Sequence, residues 1–187
     1  MTHYTLFETA IGWAGLAWGD KGLVGCHLPD HDPEIARRSF LRKIPGAVEA
    51  SPTPEIQKAI ADIRALLEGE RPDLLGVEID IARVSEFNAR VYAISRAIPP
   101  GETLTYGEIA VRLGDRLLAR AVGQALGQNP WPIVVPCHRV TAAGGKLGGF
   151  SARGGVNTKA RLLAIEGAAV VAPPLPKAPP PQADLFA

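Results

Sequence analysis

Two glycine-marked breaks, Ile11-Gly12 and Asp20-Lys21-Gly22, cut the first thirty residues into three strand-length runs, HYTLFETA, GWAGLAWG and GLVGCHLP. Asp, Lys and Gly at such breaks suit tight turns, so these runs predict an antiparallel meander. Helical spacing follows. In DPEIARRSFLRKI, Asp32 stands as N-cap with Pro33 at the first position, and Ile35, Phe40, Leu41 and Ile44 form an apolar stripe. TPEIQKAIADIRALLEGE repeats the device with Thr53, Pro54 and the stripe Ile56, Ile60, Ile63, Leu66 and Leu67. VEIDI, residues 77–81, predicts a strand that closes the first half.

Beyond residue 82 the pattern becomes mostly helical. Ser85 caps SEFNARVYAISRAIPPGE, which faces Phe87, Val91, Ile94 and Ile98 inward and stops at Pro99-Pro100-Gly101. LTYGEIAVRLG carries a capping box, Thr105 with Glu108, and ends at Gly114. RLLARAVGQALGQ predicts a second short helix, ended by Asn129-Pro130. Together these read as a helix-turn-helix, a weak pattern by itself because many helix pairs only pack. On the second helix Ala119, Gly123 and Gly127 share a face, with Ala121 nearby and Arg120 beside them. A helical Gly costs about 1 kcal/mol relative to Ala, so the two glycines need a reason. Close helix packing is one; the approach of another backbone, such as DNA, is the other.

The division predicted is residues 1–82, a small sheet-plus-helices domain; 83–167, a helical domain; and 168–187, a Pro-rich disordered tail. The fold class is α/β (α+β). No run of about 18 apolar residues marks a membrane span. The N-terminus lacks a basic start and an apolar signal core, so a cytoplasmic protein is expected, with Cys26 and Cys137 as free thiols. No phosphate loop, dinucleotide fingerprint or metal-ligand spacing is present among Cys26, His27, His3 and His31; no cofactor and no metal are expected.

Net charge is +1, but its distribution is uneven. Residues 1–82 hold eight Lys/Arg against thirteen Asp/Glu, net −5, whereas residues 83–166 hold eleven against five, net +6. A basic half suits an anionic partner, nucleic acid first, although a solvated surface acquires such asymmetry by chance as well.

The chemistry concentrates in IVVPCHRV, residues 133–140, where an apolar strand-like run ends in a proline, a thiol and an imidazole. An unperturbed thiol is only a few per cent thiolate at neutral pH, and a base that takes its proton raises its reactivity. Adjacent residues on an extended chain point apart, so His138 needs a turn or a bridging water to serve Cys137. An acid must orient the imidazole, and Glu166 in the last helix is available. Cys26 lies in an apolar strand and reads as core. A thiol with a base fits a protease, a transglutaminase-like enzyme, a redox sensor or an alkyl acceptor, and spacing does not choose among them.

LTYGEIA, ARAVG, NPWPIVVPCHRV, GGF and LLAIEG, in that order across residues 84–167, resemble the O6-alkylguanine-DNA alkyltransferase family, the methylated-DNA–protein-cysteine methyltransferases. The first half resembles that family's variable N-terminal domain, with an RNase H-like layout. The resemblance implies stoichiometric, irreversible transfer of an alkyl group from O6-alkylguanine, and also O4-alkylthymine, to Cys137. It implies that His138 takes the thiol proton through a water, that Glu166 orients His138, and that Tyr106 donates to guanine N3. Arg120 would fill the space of the flipped nucleotide, with Ala119 and Gly123 against the minor groove and Asn129 bracing the turn. Leu126, Pro132, Val140, Phe150 and Ser151 would line the pocket; the carbonyls of Cys137 and Val140 would accept from the guanine amino group, and Ser151 would face O6. Flipping costs a few kcal/mol and makes a buried thiol reachable. The implied partner is double-stranded DNA carrying O6-alkylguanine, bound by a monomer, nucleoid-associated when bound.

Two departures stand out. Phe150 occupies a pocket-wall position that is tyrosine in many relatives, and SARGGV is two residues longer than the compact Ser-Gly-Gly form, which leaves the alkyl range open. Three rivals remain: a non-enzymatic relative that binds alkylated DNA, which the presence of Cys137 disfavours; a helix-turn-helix regulator; and a cysteine hydrolase.

Overall fold

The three N-terminal runs form β1 (His3–Thr9), β2 (Gly12–Gly19) and β3 (Gly22–Asp30), an antiparallel meander closed by the two predicted turns. This computed structural model describes residues 1–151 and 154–169; the Pro-rich tail from residue 170 and the added Ala152-Arg153 lie outside the described residues. A short β4 (Val48–Glu49) joins in parallel beside β1, giving the order β3-β2-β1-β4. Two exposed residues carry no alternation, so this strand leaves no mark in the sequence.

Period-2 alternation sends Tyr4, Ala17 and Val24 to one face of the sheet and Phe7, Leu16, Trp18 and Leu23 to the other. Helix α1 (Pro33–Lys43) covers the first face with Phe40; α2 (Pro54–Leu67) covers the second with Ile56, Ile60, Ile63 and Leu66. Both start where the sequence predicts. The Asp32 carboxylate accepts from the Glu34 and Ile35 N–H groups, and Thr53 Oγ1 accepts from Ile56 N–H.

The strand predicted over 77–81 does not form. Ile79 makes one parallel bridge to Leu23, flanked by Leu23 N–H to Glu78 O at 2.9 Å and Asp80 N–H to Leu23 O at 2.8 Å. The segment meets β3 only at Glu78–Asp80, then turns through a 3-10 helix at Ile81–Arg83. Gly22, at φ 108°, permits that crossing, because a Cβ there would lie 2.8 Å from Glu78 O.

Four helices follow: α3 (Glu86–Arg96), α4 (Tyr106–Arg112), α5 (Ala119–Gly127) and α6 (Gly155–Ile165). Ser85 caps α3, and both halves of the Thr105–Glu108 capping box are made, at 3.1 and 2.6 Å. A 3-10 turn, Arg116–Leu118, leads directly into α5, so α4 and α5 form the helix-turn-helix. A two-residue parallel pair, β5 (Leu104–Thr105) with β6 (Val140–Thr141), ties the start of α4 to the chain beyond Cys137.

The apolar run before Cys137 is not a strand. Val135 N–H bonds back to Trp131 O at 2.7 Å, closing a turn in which Ile133 takes φ 77°, alone among the described non-glycine residues. This left-handed conformation is costly for a β-branched side chain. Asn129 clamps the turn: its Oδ1 accepts from Trp131 N–H at 2.9 Å and its Nδ2 donates to Val135 O at 2.8 Å.

One apolar cluster runs through both halves, joining Leu16, Leu23 and Ile63 to Val91, Val122, Trp131 and Leu162. Trp131 is its pivot, fully buried, with Nε1–H donating to Leu23 O at 2.8 Å. No helix among the described residues is long and apolar enough to cross a membrane. In urea denaturation, Trp131→Ala is expected to lose about 3–5 kcal/mol of stability. Trp131→Phe keeps most of the packing and loses only the indole donor, since Leu23 O still accepts from Asp80 N–H, a loss of about 0.5–1.5 kcal/mol. Equal stability of all three proteins would refute the pivot.

Candidate active site

Directly after the clamped turn the chain tightens into a 3-10 helix, Cys137–Arg139. This turn answers the geometrical difficulty of neighbouring side chains, because Cys137 and His138 no longer project from an extended strand. Cys137 is 9% exposed and lines a cavity of about 440 Å³ with Tyr106, Gly123, Leu126, Gly127, Gly149, Phe150 and Ser151. A second cleft of about 590 Å³ reaches the same thiol from the N-terminal side, where Pro132 and Asn129 join the wall.

His138 and Glu166 are both buried, with Nε2 and Oε1 2.8 Å apart. The carboxylate is also gripped by Arg139, whose Nε and Nη2 donate to its two oxygens, each at 2.9 Å. Burial alone would raise the Glu166 carboxyl, but the hydrogen bonds from His138 and Arg139 outweigh it and hold the group down at about 2. An ionised carboxylate only accepts, so Nε2 carries the imidazole proton and Nδ1 keeps its lone pair. Nδ1 is buried and has no hydrogen-bond partner among the described residues. Burial pushes the His138 imidazole below its ordinary value, against the upward pull of Glu166. Burial likewise pushes the Cys137 thiol up, opposed by the Asn129 side chain and the Lys159 charge. The resting pair is a neutral thiol beside a neutral base.

Two site residues escape a reading by motif. Arg139 bonds Ile98 O through Nη1 at 2.6 Å while holding Glu166, anchoring the end of α3 to the site. Lys159, fully buried in α6, donates to Val140 O and, at 3.3 Å, to Gly149 O. Its ammonium lies 5.6 Å from the Tyr106 ring centre and 5.9 Å from that of Phe150. Burial lowers it to about 8. A signal existed: Lys159, Leu162, Leu163 and Glu166 share one helical face, and a charged residue on a buried stripe must meet partners.

Tyr106 Oη donates to Gly149 O at 3.3 Å, and burial raises its phenol. Gly148, at φ 72°, lets the glycine loop cross that ring, since a Cβ there would lie 3.0 Å from it. Ser151 Oγ donates to Gly127 O at 3.1 Å. Arg120 stands apart, exposed on α5 outside the cavity. The small-residue face is open: a Cβ on Gly127 would meet nothing within 4 Å, and one on Gly123 only the Tyr106 ring at 3.8 Å. Close internal packing therefore does not explain these glycines. No group of His, Cys, Asp and Glu among the described residues could hold a metal.

With that geometry in hand, residues 86–168 match the family model described as the DNA-binding domain of 6-O-methylguanine DNA methyltransferase. A methylated-DNA–protein-cysteine methyltransferase of Mycolicibacterium paratuberculosis is 40% identical, covering 89% of this chain and 93% of that protein. The crystal structure of Mycobacterium tuberculosis OGT in complex with DNA superposes with a TM-score of 0.70 at 34% identity, over 88% of this chain and 92% of that one. A DNA base-flipping protein of Thermus thermophilus is 41% identical over 62% of this chain and 79% of its own length.

Two outcomes follow for acid and base behaviour. Because burial depresses His138, the transfer rate should hold below pH 6.5, the ordinary value for imidazole, and fall only at more acid pH. Glu166→Gln removes the upward pull, so the acid limb should move to still lower pH while the plateau drops about a hundredfold; an unmoved limb in a stopped-flow pH series would sink the pairing. For stability the signs agree. The contribution of Glu166 is full above the unfolded value of 4.5 and lost as pH falls toward about 2. The unfolded chain also protonates His138 first, so acid unfolding should be displaced in Glu166→Gln relative to the native protein.

Proposed function

This chain belongs to the methylated-DNA–protein-cysteine methyltransferase family, and we propose that it repairs O6-alkylguanine in double-stranded DNA by moving the alkyl group to Cys137. The observation that carries the residue roles is the buried array at one cavity: Cys137 in its wall, His138 beside it with Nδ1 bare, and Glu166 holding Nε2.

The thiol proton passes to His138 Nδ1 through a water, and Sγ attacks the alkyl carbon as the C–O6 bond breaks. The bonding electrons go to the purine, which Tyr106 stabilises by donating to N3. Guanine takes its N1 proton from water, the histidine returns the thiol's proton to solvent, and a thioether remains. Nothing in this cycle reverses the thioether, so each molecule acts once. Leu126, Pro132, Phe150 and Ser151 wall the base and its substituent. The carbonyls of Cys137 and Val140 accept from the guanine amino group. Val140 O already takes the Lys159 ammonium, and its second lone pair serves the base. Ser151 turns from Gly127 O toward O6 when substrate enters.

Access requires flipping, for which Arg120 fills the vacated space, Ala119 and Gly123 lie against the minor groove, and Asn129 holds the turn behind them. Residues 1–82, with an RNase H-like layout, buttress the 83–167 unit. The reading extends to O4-alkylthymine, to a monomer acting without cofactor or metal, and to a cytoplasmic, nucleoid-associated location.

Intact mass after mixing with an oligonucleotide carrying one O6-methylguanine is expected to rise by one methyl group on the Cys137 peptide and stop at one equivalent. Lesion-selective binding with unchanged mass would instead make this a base-flipping protein with an idle thiol. Cys137→Ala should bind and not transfer. Arg120→Ala should lose far more activity on duplex than on free O6-substituted guanine.

A further inference from the structure

Leu117 is 80% exposed, and among the described large apolar side chains only the N-terminal Met1 is more so. Single exposed leucines are ordinary, so its setting must decide. It stands in the 3-10 turn Arg116–Leu118, which runs into α5 without a break. Three residues on comes Arg120, and positions i and i+3 of a helical turn share a side. The turn is firmly held. Asp115 Oδ1 accepts from Leu117 N–H at 2.8 Å, Asp115 O accepts from Leu118 N–H at 3.1 Å, and Leu118 packs against the main core. The neighbouring residue is thus drawn inward while Leu117 is presented outward from a rigid base. Arg112, Arg116 and Arg120 are exposed around it, with Asp115 the acidic residue of this segment, and the face beyond is bare at Gly123 and Gly127.

We propose that Leu117 is an apolar wedge that enters a base step beside Arg120 and helps unstack the alkylated nucleotide. The occupant of this surface is the DNA minor groove, argued from its continuity with Arg120 and from the cationic side chains placed to meet phosphates. Leucine is among the residues that prise base steps apart in the minor groove, exchanging lost stacking for buried apolar area. Division of labour follows: Arg120 replaces the departed nucleotide, and Leu117 weakens the stack from which it leaves. The inference rests on the repair reading above and adds a residue to its flipping step.

The test is single-turnover transfer at saturating DNA, on three substrates: lesion in duplex, lesion in single strand, and free O6-substituted guanine. Leu117→Ala should slow the duplex reaction about tenfold. It should leave the other two substrates unchanged, because nothing remains to unstack, and Leu117→Met should restore most of the duplex rate. Leu75→Ala, at an exposed apolar residue of the N-terminal half, should change none of the three. Duplex rates equal to the parent's, or equal losses on all substrates, would overturn the wedge. A parent protein that transfers from none of the substrates would overturn the repair reading itself, and the wedge with it.

Discussion

The buried Glu166 carboxylate holds the catalytic half together. At the end of α6, it accepts from His138 and twice from Arg139, and takes the Gly101 N–H at 3.3 Å, so three segments distant in sequence meet on two oxygens. A lone carboxylate in that position would be pushed toward its neutral form by desolvation. The bidentate arginine prevents this, and the geometry then dictates the imidazole tautomer. Pairs of this kind add little net stability over well-packed apolar side chains, yet removing one partner strands a buried charge at a cost of about 3–5 kcal/mol. Its value to the molecule lies in specification: one tautomer, one ring orientation, one position for α6 relative to Cys137.

The second constraint is the path of the chain into the thiol. A straight strand would have put His138 and Cys137 on opposite sides. Here the chain folds back at Trp131–Val135 with Ile133 in a conformation it disfavours, and Asn129 offsets that strain by satisfying both ends of the turn. Trp131, in the same turn, is fully buried and bonds to β3. The N-terminal sheet thereby supports the active-site loop through one indole, and Cys26 N–H reinforces the contact by donating to Pro130 O at 2.8 Å.

What could be read from sequence divides along physical lines. Asp32, Thr53, Ser85 and Thr105 announced their helices because capping is local and needs a particular side chain within three residues of a backbone N–H. The meander was legible for the same reason. No strand forms at 77–81, where the alternation is that of a strand but only Ile79 meets a partner, Leu23. Nor does one form before Cys137, where an apolar run suits a buried turn equally well and Asn129 and Trp131 decide for the turn at Ile133. β4 and the β5–β6 pair, two residues each, owe their existence to the neighbours they meet. Among site residues, Cys137, His138 and Glu166 stood out by their chemistry. Arg139 and Lys159 did not, since their roles depend on a carboxylate and two carbonyls brought from elsewhere.

Those two cations change the electrostatic meaning of the site. The buried cluster holds Arg139 and Lys159 against Glu166, with Cys137 and His138 neutral. When Lys159 is protonated, the array therefore carries an excess positive charge behind the Tyr106 and Phe150 rings that line the cavity. Burial lowers the ammonium to about 8, so at neutral pH most molecules retain that charge. Moving the Cys137 proton to His138 in the proposed mechanism leaves that net charge unchanged, so it is still present when negative charge develops as the alkyl group leaves oxygen. A site that kept a thiolate at rest would already have spent this field on the nucleophile. On the proposed transfer to Cys137, a thiol held neutral by burial beside a charged lysine keeps the electrostatic stabilisation for the moment of transfer.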